Sequence, residues 1–227
     1  MYYNVKKAFT KKTCEKNCEK KGKEMSEVNK EKMSTKFNRV ILASSSVIRI
    51  EMLNKYFENV KKVSHRIDEE KFKTPGKKPE VIALTIAKKK ALSVLDDFDD
   101  DMIVASDQIL VCENKIISKP KTLEAAKKKL LFLRNKTHKL YSSIYVVQKQ
   151  KFYFQQVKEA SLFFANLSQR DIESYVMANM KTVMNTVGSY KIEENFRYKF
   201  IRIIKGDLET IKGFPLKDLI EKIRHEK

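Results

Sequence analysis

Short apolar runs that alternate with segments of helical period constrain the fold of this chain more than any other feature. The first run, residues 39–43, is only five residues long, which together with its β-branched residues is typical of a buried strand. A serine loop follows, and residues 47–56 then carry apolar side chains at helical spacing. Strands and helices continue to intermix as far as a last helix that opens at Pro215. This order predicts an α/β domain with a mixed, twisted sheet and flanking helices.

The other predicted elements repeat the same pattern. Strands are expected at residues 61–65, 102–105, 140–147 and 152–164, and a hairpin at 109–117 that turns at residues 113–115. Helices are expected from Pro79 to about residue 95, and at 122–134 and 172–179. In the 122–134 helix the leucines and Ala126 would face inward and the lysines outward.

Residues 1–36 differ in character from the rest of the chain. They hold 11 Lys and 5 Glu with only scattered apolar residues, so they bury too little apolar surface to offset chain entropy. We therefore expect a flexible, Lys-rich arm at 1–36 and a folded domain at 37–227. The segment lacks the apolar region of a secretory signal. Cys14 and Cys18 form too weak a pattern for a zinc site.

Charge and cysteine content narrow the class of protein. Of the 227 residues only three are Cys, which excludes a disulfide scaffold and favours a reducing, cytoplasmic location. No apolar run approaches the roughly 18 residues of a membrane span. The net charge of +19 makes a nucleic-acid-binding protein the competing class. Because the lysines alternate with Glu and no basic-aromatic stripe is present, nucleic acid is not the expected partner.

The serine loop at residues 44–46 could bind an anion. A loop that feeds a helix start offers free backbone N–H groups, and Ser44, Ser46 and Arg49 lie there. The simpler alternative is that Ser46 is an N-cap and Arg49 a solvated helix charge.

A second candidate, Asp107, follows the apolar run at residues 102–105. Ligands of open α/β sheets gather at the carboxyl ends of strands, where a carboxylate can hold a cation or accept a proton. The alternative is an Asp that only forms a turn. Lys119, fixed by Pro120, could meet a phosphate or could be one of many surface lysines.

The order of seven short motifs resembles the Maf family of nucleotide pyrophosphatases. They are Leu-Ala-Ser-Ser-Ser-Val-Ile-Arg at 42–49, Ile-Asp-Glu at 67–69, Lys-Ala at 90–91, Ser-Asp-Gln at 106–108, Lys-Pro at 119–120, Gly-Ser-Tyr-Lys at 188–191 and Gly-Phe-Pro-Leu at 213–216. The resemblance does not include the arm. This chain also departs from the family pattern, because Val47-Ile48 stand where the family usually has Pro-Arg or Pro-Trp. It implies a Maf/ITPase-like fold with a central cleft and a homodimer.

The resemblance also bears on the substrate. Gln108, Lys191 and Glu193 are similar to the branch of the family that acts on 7-methyl-GTP, whereas the branch that cleaves dTTP and UTP usually has other residues there. We therefore expect hydrolysis of a modified nucleoside triphosphate, 7-methyl-GTP, to its monophosphate and pyrophosphate in house-cleaning of the nucleotide pool. The dTTP/UTP activity remains the alternative.

Site roles follow from the resemblance and from the chemistry of the residue types. Ser44, Ser46, Arg49, Lys90 and Lys119 would bind the phosphates. Glu69, Asp107 and Glu193 would hold Mg²⁺ or Mn²⁺, which prefer oxygen ligands. Asp107 would also accept the proton of the attacking water, as base, ligand or both. Gln108, Tyr190 and Lys191 are speculative base-recognition residues.

Overall fold

The computed structural model describes residues 39–74 and 76–226 and confirms the α/β class. The predicted arm at 1–36 lies outside these residues, so both the arm and its boundary remain predictions. The strands of the described part are β1 (Val40–Ala43), β2 (Val60–Val63), β3 (Met102–Cys112), β4 (Lys115–Ile117), β5 (Lys136–Gln148), β6 (Lys151–Phe164) and β7 (Ile201–Lys205).

Helices flank this sheet, and several of them are shorter than the sequence pattern suggests. They are α1 (Val47–Leu53), α2 (Pro79–Leu92), α3 (Leu123–Leu133), α4 (Gln169–Ala178), α5 (Met180–Asn185), α6 (Asn195–Tyr198), α7 (Leu208–Ile211) and α8 (Lys217–His225). Three 3₁₀ turns lie at Glu69–Phe72, Leu95–Asp97 and Ile192–Glu194. No helix of the described residues is long and apolar enough to cross a bilayer.

The strands form one mixed sheet in the order β2-β1-β3-β5-β6-β7, with β4 paired to β3. β1 runs parallel to both β2 and β3, and the remaining pairs are antiparallel. The sheet therefore changes from parallel to antiparallel at β3, the strand that holds Asp107.

β3 is longer than the sequence suggested, and this corrects the position of Asp107. The strand does not stop at Ala105 but continues to Cys112, and it pairs Asp107 with Ser143 of β5. Its parallel pairing with β1 does end early, at Leu42 opposite Val104. Asp107 is thus a mid-strand residue that lies beyond the end of its parallel neighbour. The predicted β3–β4 hairpin is confirmed, with positive φ at Glu113 and Asn114.

Two apolar layers enclose the parallel half of the sheet, and strand alternation assigns residues to them. On one face Met102 and Val104 pack with Phe214 and with apolar residues of α1 and α8. On the other face Ile103 and Ala105 pack with the alanines of α2. Since alternation continues along β3, Ser106 and Gln108 belong to the first face and Asp107 to the second, toward α2. A further cluster joins α3 and α4 to the antiparallel half.

Candidate active site

A buried ammonium group joins the two acids that the sequence singled out. Lys90 lies on α2 and is 3% exposed. Its Nζ is 2.7 Å from Glu69 Oε1 and 2.7 Å from Asp107 Oδ1. The distance between Glu69 Oε1 and Asp107 Oδ1 therefore cannot exceed the sum of these two distances. Residues from the 3₁₀ turn at Glu69–Phe72, from α2 and from β3 converge at one point.

Arg49 lies beside this cluster and is held by backbone carbonyls. Its Nη1 donates to Ser106 O (2.8 Å) and Ser44 Oγ (3.3 Å), and its Nε donates to Gly213 O (3.1 Å). Burial lowers the pKa of Arg49, and the nearby charges of Asp107 and Glu69 oppose that shift. Arg49 is therefore not the solvated helix charge of the simpler reading.

The serine loop is built around Ser44. Ser44 is buried, and its hydroxyl accepts the backbone N–H of Ser46 at 3.2 Å. Ser46 occupies the N-cap position of α1, but its side chain makes no capping hydrogen bond. The hydroxyl of Ser46 thus does not serve the helix as an ordinary cap.

The electrostatic environment differs between the two acids. The pKa of Glu69 lies well below its ordinary value because His65 hydrogen-bonds it and Lys90 attracts it, although burial works the other way. Burial raises the pKa of Asp107, with Lys90 opposing this shift. A carboxylate with a raised pKa is the better proton acceptor of the pair.

Lys119 belongs to the same electrostatic neighbourhood. The residue as a whole is exposed, but its ammonium end is partly enclosed. Burial of its ammonium lowers its pKa, and the charge of Glu69 raises it; Arg49, Lys90 and Asp107 also contribute. The buried Lys90, the half-buried Arg49 and Lys119 therefore place three cations in the electrostatic neighbourhood of the acid pair, which suits an anionic ligand.

The structure places other predicted site residues elsewhere. Tyr190 is 6% exposed and its hydroxyl bonds to His138 in the core, which removes the basis for assigning it to base recognition. Gln108 directs its amide nitrogen to Ser142 Oγ and to two carbonyls of α7. Lys191 is exposed, and its assignment remains a prediction.

A third metal ligand is not assembled around the acid pair. Glu193 instead pairs with Lys212 at 3.1 Å, and no three His, Cys or acidic side chains of the described residues form a metal-binding group. The expectation of Glu193 as a ligand is therefore not met in this arrangement. Glu69 and Asp107 alone still fit Mg²⁺ or Mn²⁺, because Mg²⁺ is commonly held by one or two carboxylates together with substrate phosphates.

Sequence reasoning missed two contributors to the site. His65 Nε2 lies 3.2 Å from Glu69 Oε1, and the spacing of four residues was the available signal. The carbonyl of Gly213 accepts from both Arg49 and Ser106, but a backbone acceptor leaves no mark on residue type.

One open groove of the described residues is separate from this cluster. It has a volume of about 350 Å³ and runs between the first turns of α2 and the strands β5 and β6, with Leu84, Tyr141 and Val157 in its lining. None of the predicted site residues lines it, so it is not the cleft that the resemblance implies.

Comparison with known proteins identifies the family. The model of the Maf family, described as Maf-like protein, matches residues 39–226. The chain belongs to the Maf family. The match covers all of the described residues and confirms the family that the seven motifs indicated.

Three relatives show the range of names within this family. A dTTP/UTP pyrophosphatase of Acholeplasma laidlawii is 38% identical over 140 residues, 62% of this chain and 72% of the relative. A nucleoside triphosphate pyrophosphatase of Ruegeria sp. is 31% identical over 80% of this chain and 92% of the relative. A 7-methyl-GTP pyrophosphatase of Bartonella henselae is 32% identical over 82% and 94%.

The Maf match and these relatives confirm the coarse prediction of function. The chain is a Maf-family nucleoside triphosphate pyrophosphatase, a hydrolase of phosphoric anhydrides. The relatives differ in the nucleotide that they are named for.

Proposed function

We propose that this Maf-family chain hydrolyses a nucleoside triphosphate between its α- and β-phosphates, with Asp107 as the catalytic base. The observation that supports the proposal is the contact of Lys90 with both Glu69 and Asp107, 2.7 Å each, beside the enclosed guanidinium of Arg49. Three cations around two acids suit a substrate of high negative charge that must meet an activated water.

The residues divide the work as follows. Arg49, Lys90 and Lys119 neutralise and orient the triphosphate, and the serine loop adds donors. A water molecule attacks the α-phosphorus and Asp107 takes its proton; the new P–O bond forms as the bond to the bridging oxygen breaks and pyrophosphate leaves. When bound, a divalent cation held by Glu69 and Asp107 would lower the pKa of water and polarise phosphate oxygens.

For the nucleobase of the substrate, we propose 7-methylguanine, which makes 7-methyl-GTP the preferred nucleotide. The residue types at 108, 191 and 193 support this choice, because Gln108, Lys191 and Glu193 resemble the 7-methyl-GTP branch. The amide nitrogen of Gln108 is, however, already hydrogen-bonded to two carbonyls of α7. The relatives named for dTTP and UTP favour the second candidate, cleavage of these pyrimidine nucleotides.

One assay separates these candidates. Pyrophosphate release, measured with a coupled pyrophosphatase, is compared for 7-methyl-GTP, GTP, UTP and dTTP with and without Mg²⁺ or Mn²⁺. We expect cation-dependent release that is fastest for 7-methyl-GTP. Faster pyrophosphate release from dTTP or UTP would overturn the proposed nucleobase preference. Absence of release, together with tight and salt-sensitive oligonucleotide binding, would overturn the proposed function.

Replacing the proposed catalytic base tests the role of Asp107 directly. Asp107→Asn keeps the side-chain shape but removes the proton acceptor, so kcat should fall about a thousandfold while isothermal titration still detects nucleotide binding. Asp101→Asn is the matched control, because Asp101 is also buried but pairs with Arg39 at 2.6 Å. That control should lose stability and keep kcat. An Asp107→Asn enzyme of unchanged turnover would contradict the assignment.

We also infer from the family resemblance that the chain is a cytoplasmic homodimer. Light scattering of the purified chain would measure its mass in solution, and a monomer at assay concentrations would contradict this.

A further inference from the structure

Among the lysines of α3, which were expected to face outward, Lys129 is the one that bonds to backbone carbonyls of two other segments. Its Nζ donates to the carbonyl oxygen of Ser118 at 2.5 Å and to that of Val187 at 3.1 Å. These two carbonyls are far apart in the chain, and α3 supplies the donor that joins them. The position agrees with helix geometry, since Lys129 is three residues after the buried Ala126 and four before the buried Leu133.

The environment of Lys129 is unusual for an ammonium group. Within the described part of the chain no carboxylate pairs with it, and its hydrogen-bond partners are the two backbone carbonyls. Burial, together with the charge of nearby Lys73, lowers its pKa to about 8. A buried charge is unfavourable unless it is well hydrogen-bonded, so the two carbonyl contacts account for a lysine at this position.

Both contacted segments lead directly to residues with proposed roles. Ser118 precedes Lys119, and Val187 precedes the Gly-Ser-Tyr-Lys motif. Ser118 is also held on its other side, because Lys73 Nζ donates to its hydroxyl at 3.1 Å and that hydroxyl donates to Glu70 at 3.0 Å. Lys119 is therefore attached to a residue whose carbonyl and hydroxyl are both fixed by charged side chains.

We propose that Lys129 is a positioning residue that holds the Ser118 and Val187 segments together and thereby fixes Lys119 beside the Glu69–Lys90–Asp107 cluster. This inference rests on the proposed function in one respect, the phosphate-binding role of Lys119. Lys129 itself does not touch the acid pair; it acts through the backbone that leads to Lys119.

A double-mutant cycle tests the proposal. Lys129→Met should raise KM for the preferred triphosphate about tenfold, equivalent to about 1.4 kcal/mol, with kcat changed less. On a Lys119→Ala background the same change should raise KM less than about twofold, because residues that act through one contact are not additive. Lys129→Arg, which keeps the charge and donors, should restore most of the affinity. Lys128→Met is the matched control, an exposed lysine of the same helix, and should leave KM unchanged.

Amide hydrogen exchange gives a readout that does not require activity. Lys129→Met should increase exchange in residues 118–121 and 187–191 together, and Lys128→Met should not. Equal effects of Lys129→Met with and without Lys119, or unchanged exchange in both segments, would overturn the proposal. Should Lys129→Met not fold, Lys129→Gln, whose amide is too short to reach both carbonyls, enters the same cycle. An unmodified chain that hydrolyses no triphosphate would refute the proposed function, while the exchange comparison would still judge the role of Lys129.

Discussion

At the residue scale, Lys90 allows two acids to share one enclosed site. Carboxylates placed side by side repel each other, and one of them then takes up a proton. The contacts of Lys90 with Glu69 and Asp107 supply the opposing charge within the protein itself. Removal of one partner of such a buried pair costs about 3–5 kcal/mol, so Lys90 should contribute to stability in addition to its proposed role in phosphate binding.

Gly213 is the residue whose backbone the site depends on most directly. Its φ is +81°, and a Cβ added there would lie 3.1 Å from Arg49 Nη2 and 3.3 Å from Gln108 Cδ. Gly213→Ala should therefore displace the guanidinium and raise KM for the triphosphate about tenfold. Steady-state kinetics, with urea unfolding to measure stability, checks this prediction.

Gly76→Ala separates crowding from backbone strain. Gly76 has a φ of +82°, but nothing lies within 4 Å of the added Cβ. Both substitutions should cost about 1 kcal/mol or more of stability, because an L-residue disfavours the left-handed region. Only Gly213→Ala should change KM; equal kinetics for the two variants would show that Arg49 is not displaced.

Residue types predicted the acids and cations of the site but not the partners of every neighbouring side chain. Asp107, Glu69, Lys90 and Arg49 could be predicted because they stand in short motifs whose order along the chain resembles the Maf family. The partners of Gln108 could not be predicted, because alternation along β3 turns it to the face opposite Asp107, where α7 occupies its amide. A sequence alone does not show which polar group a side chain will meet across the fold.

At the element scale, the short helix α7 contacts the strands that hold the candidate site through its backbone carbonyls. Carbonyls at its end accept from Gln108 and from Ser142, and Gly213 lies two residues after its last residue. The helix begins with an N-cap, since Asp207 Oδ1 accepts the N–H of Thr210 at 2.7 Å. A helix of four residues is too short to show a helical period in the sequence, so sequence analysis missed it. The helices α2 and α3 were long enough to predict.

Loosening α7 should therefore affect catalysis without touching a catalytic residue. Asp207→Ala removes the cap and should cost about 1 kcal/mol of stability, with a several-fold lower kcat/KM measured by pyrophosphate release. Ser168→Ala is the control, because Ser168 caps α4 through a capping box and α4 contributes nothing to the site. Comparable stability losses with equal kinetic losses would argue against a specific role for α7.

At the scale of the whole molecule, the antiparallel half of the sheet encloses a histidine. His138 is 1% exposed and contacts the hydroxyl of Tyr190. Burial lowers its pKa from 6.5 to about 4. The unfolded chain therefore takes up a proton first as the pH falls, so stability present above about pH 6.5 is lost progressively toward pH 4.

His138→Phe measures this contribution. Between about pH 7.5 and about pH 5 the unmodified chain should lose about 2 kcal/mol more unfolding free energy than the variant. Urea unfolding at both pH values provides the comparison, and each chain serves as its own reference. Parallel losses in the two chains would show that His138 titrates normally in the folded state.

The uninterrupted course of β3 through Asp107 has a consequence for divergence within the family. Residues paired with β5 flank Asp107 on either side, so the sheet fixes the position of the proposed catalytic carboxylate. The residues at 118–120 and 187–194 for which phosphate and nucleobase roles are proposed lie outside this strand pairing. Under the proposed function, changes in those stretches would alter the nucleobase preference while the acid proposed to activate water keeps its place in the strand.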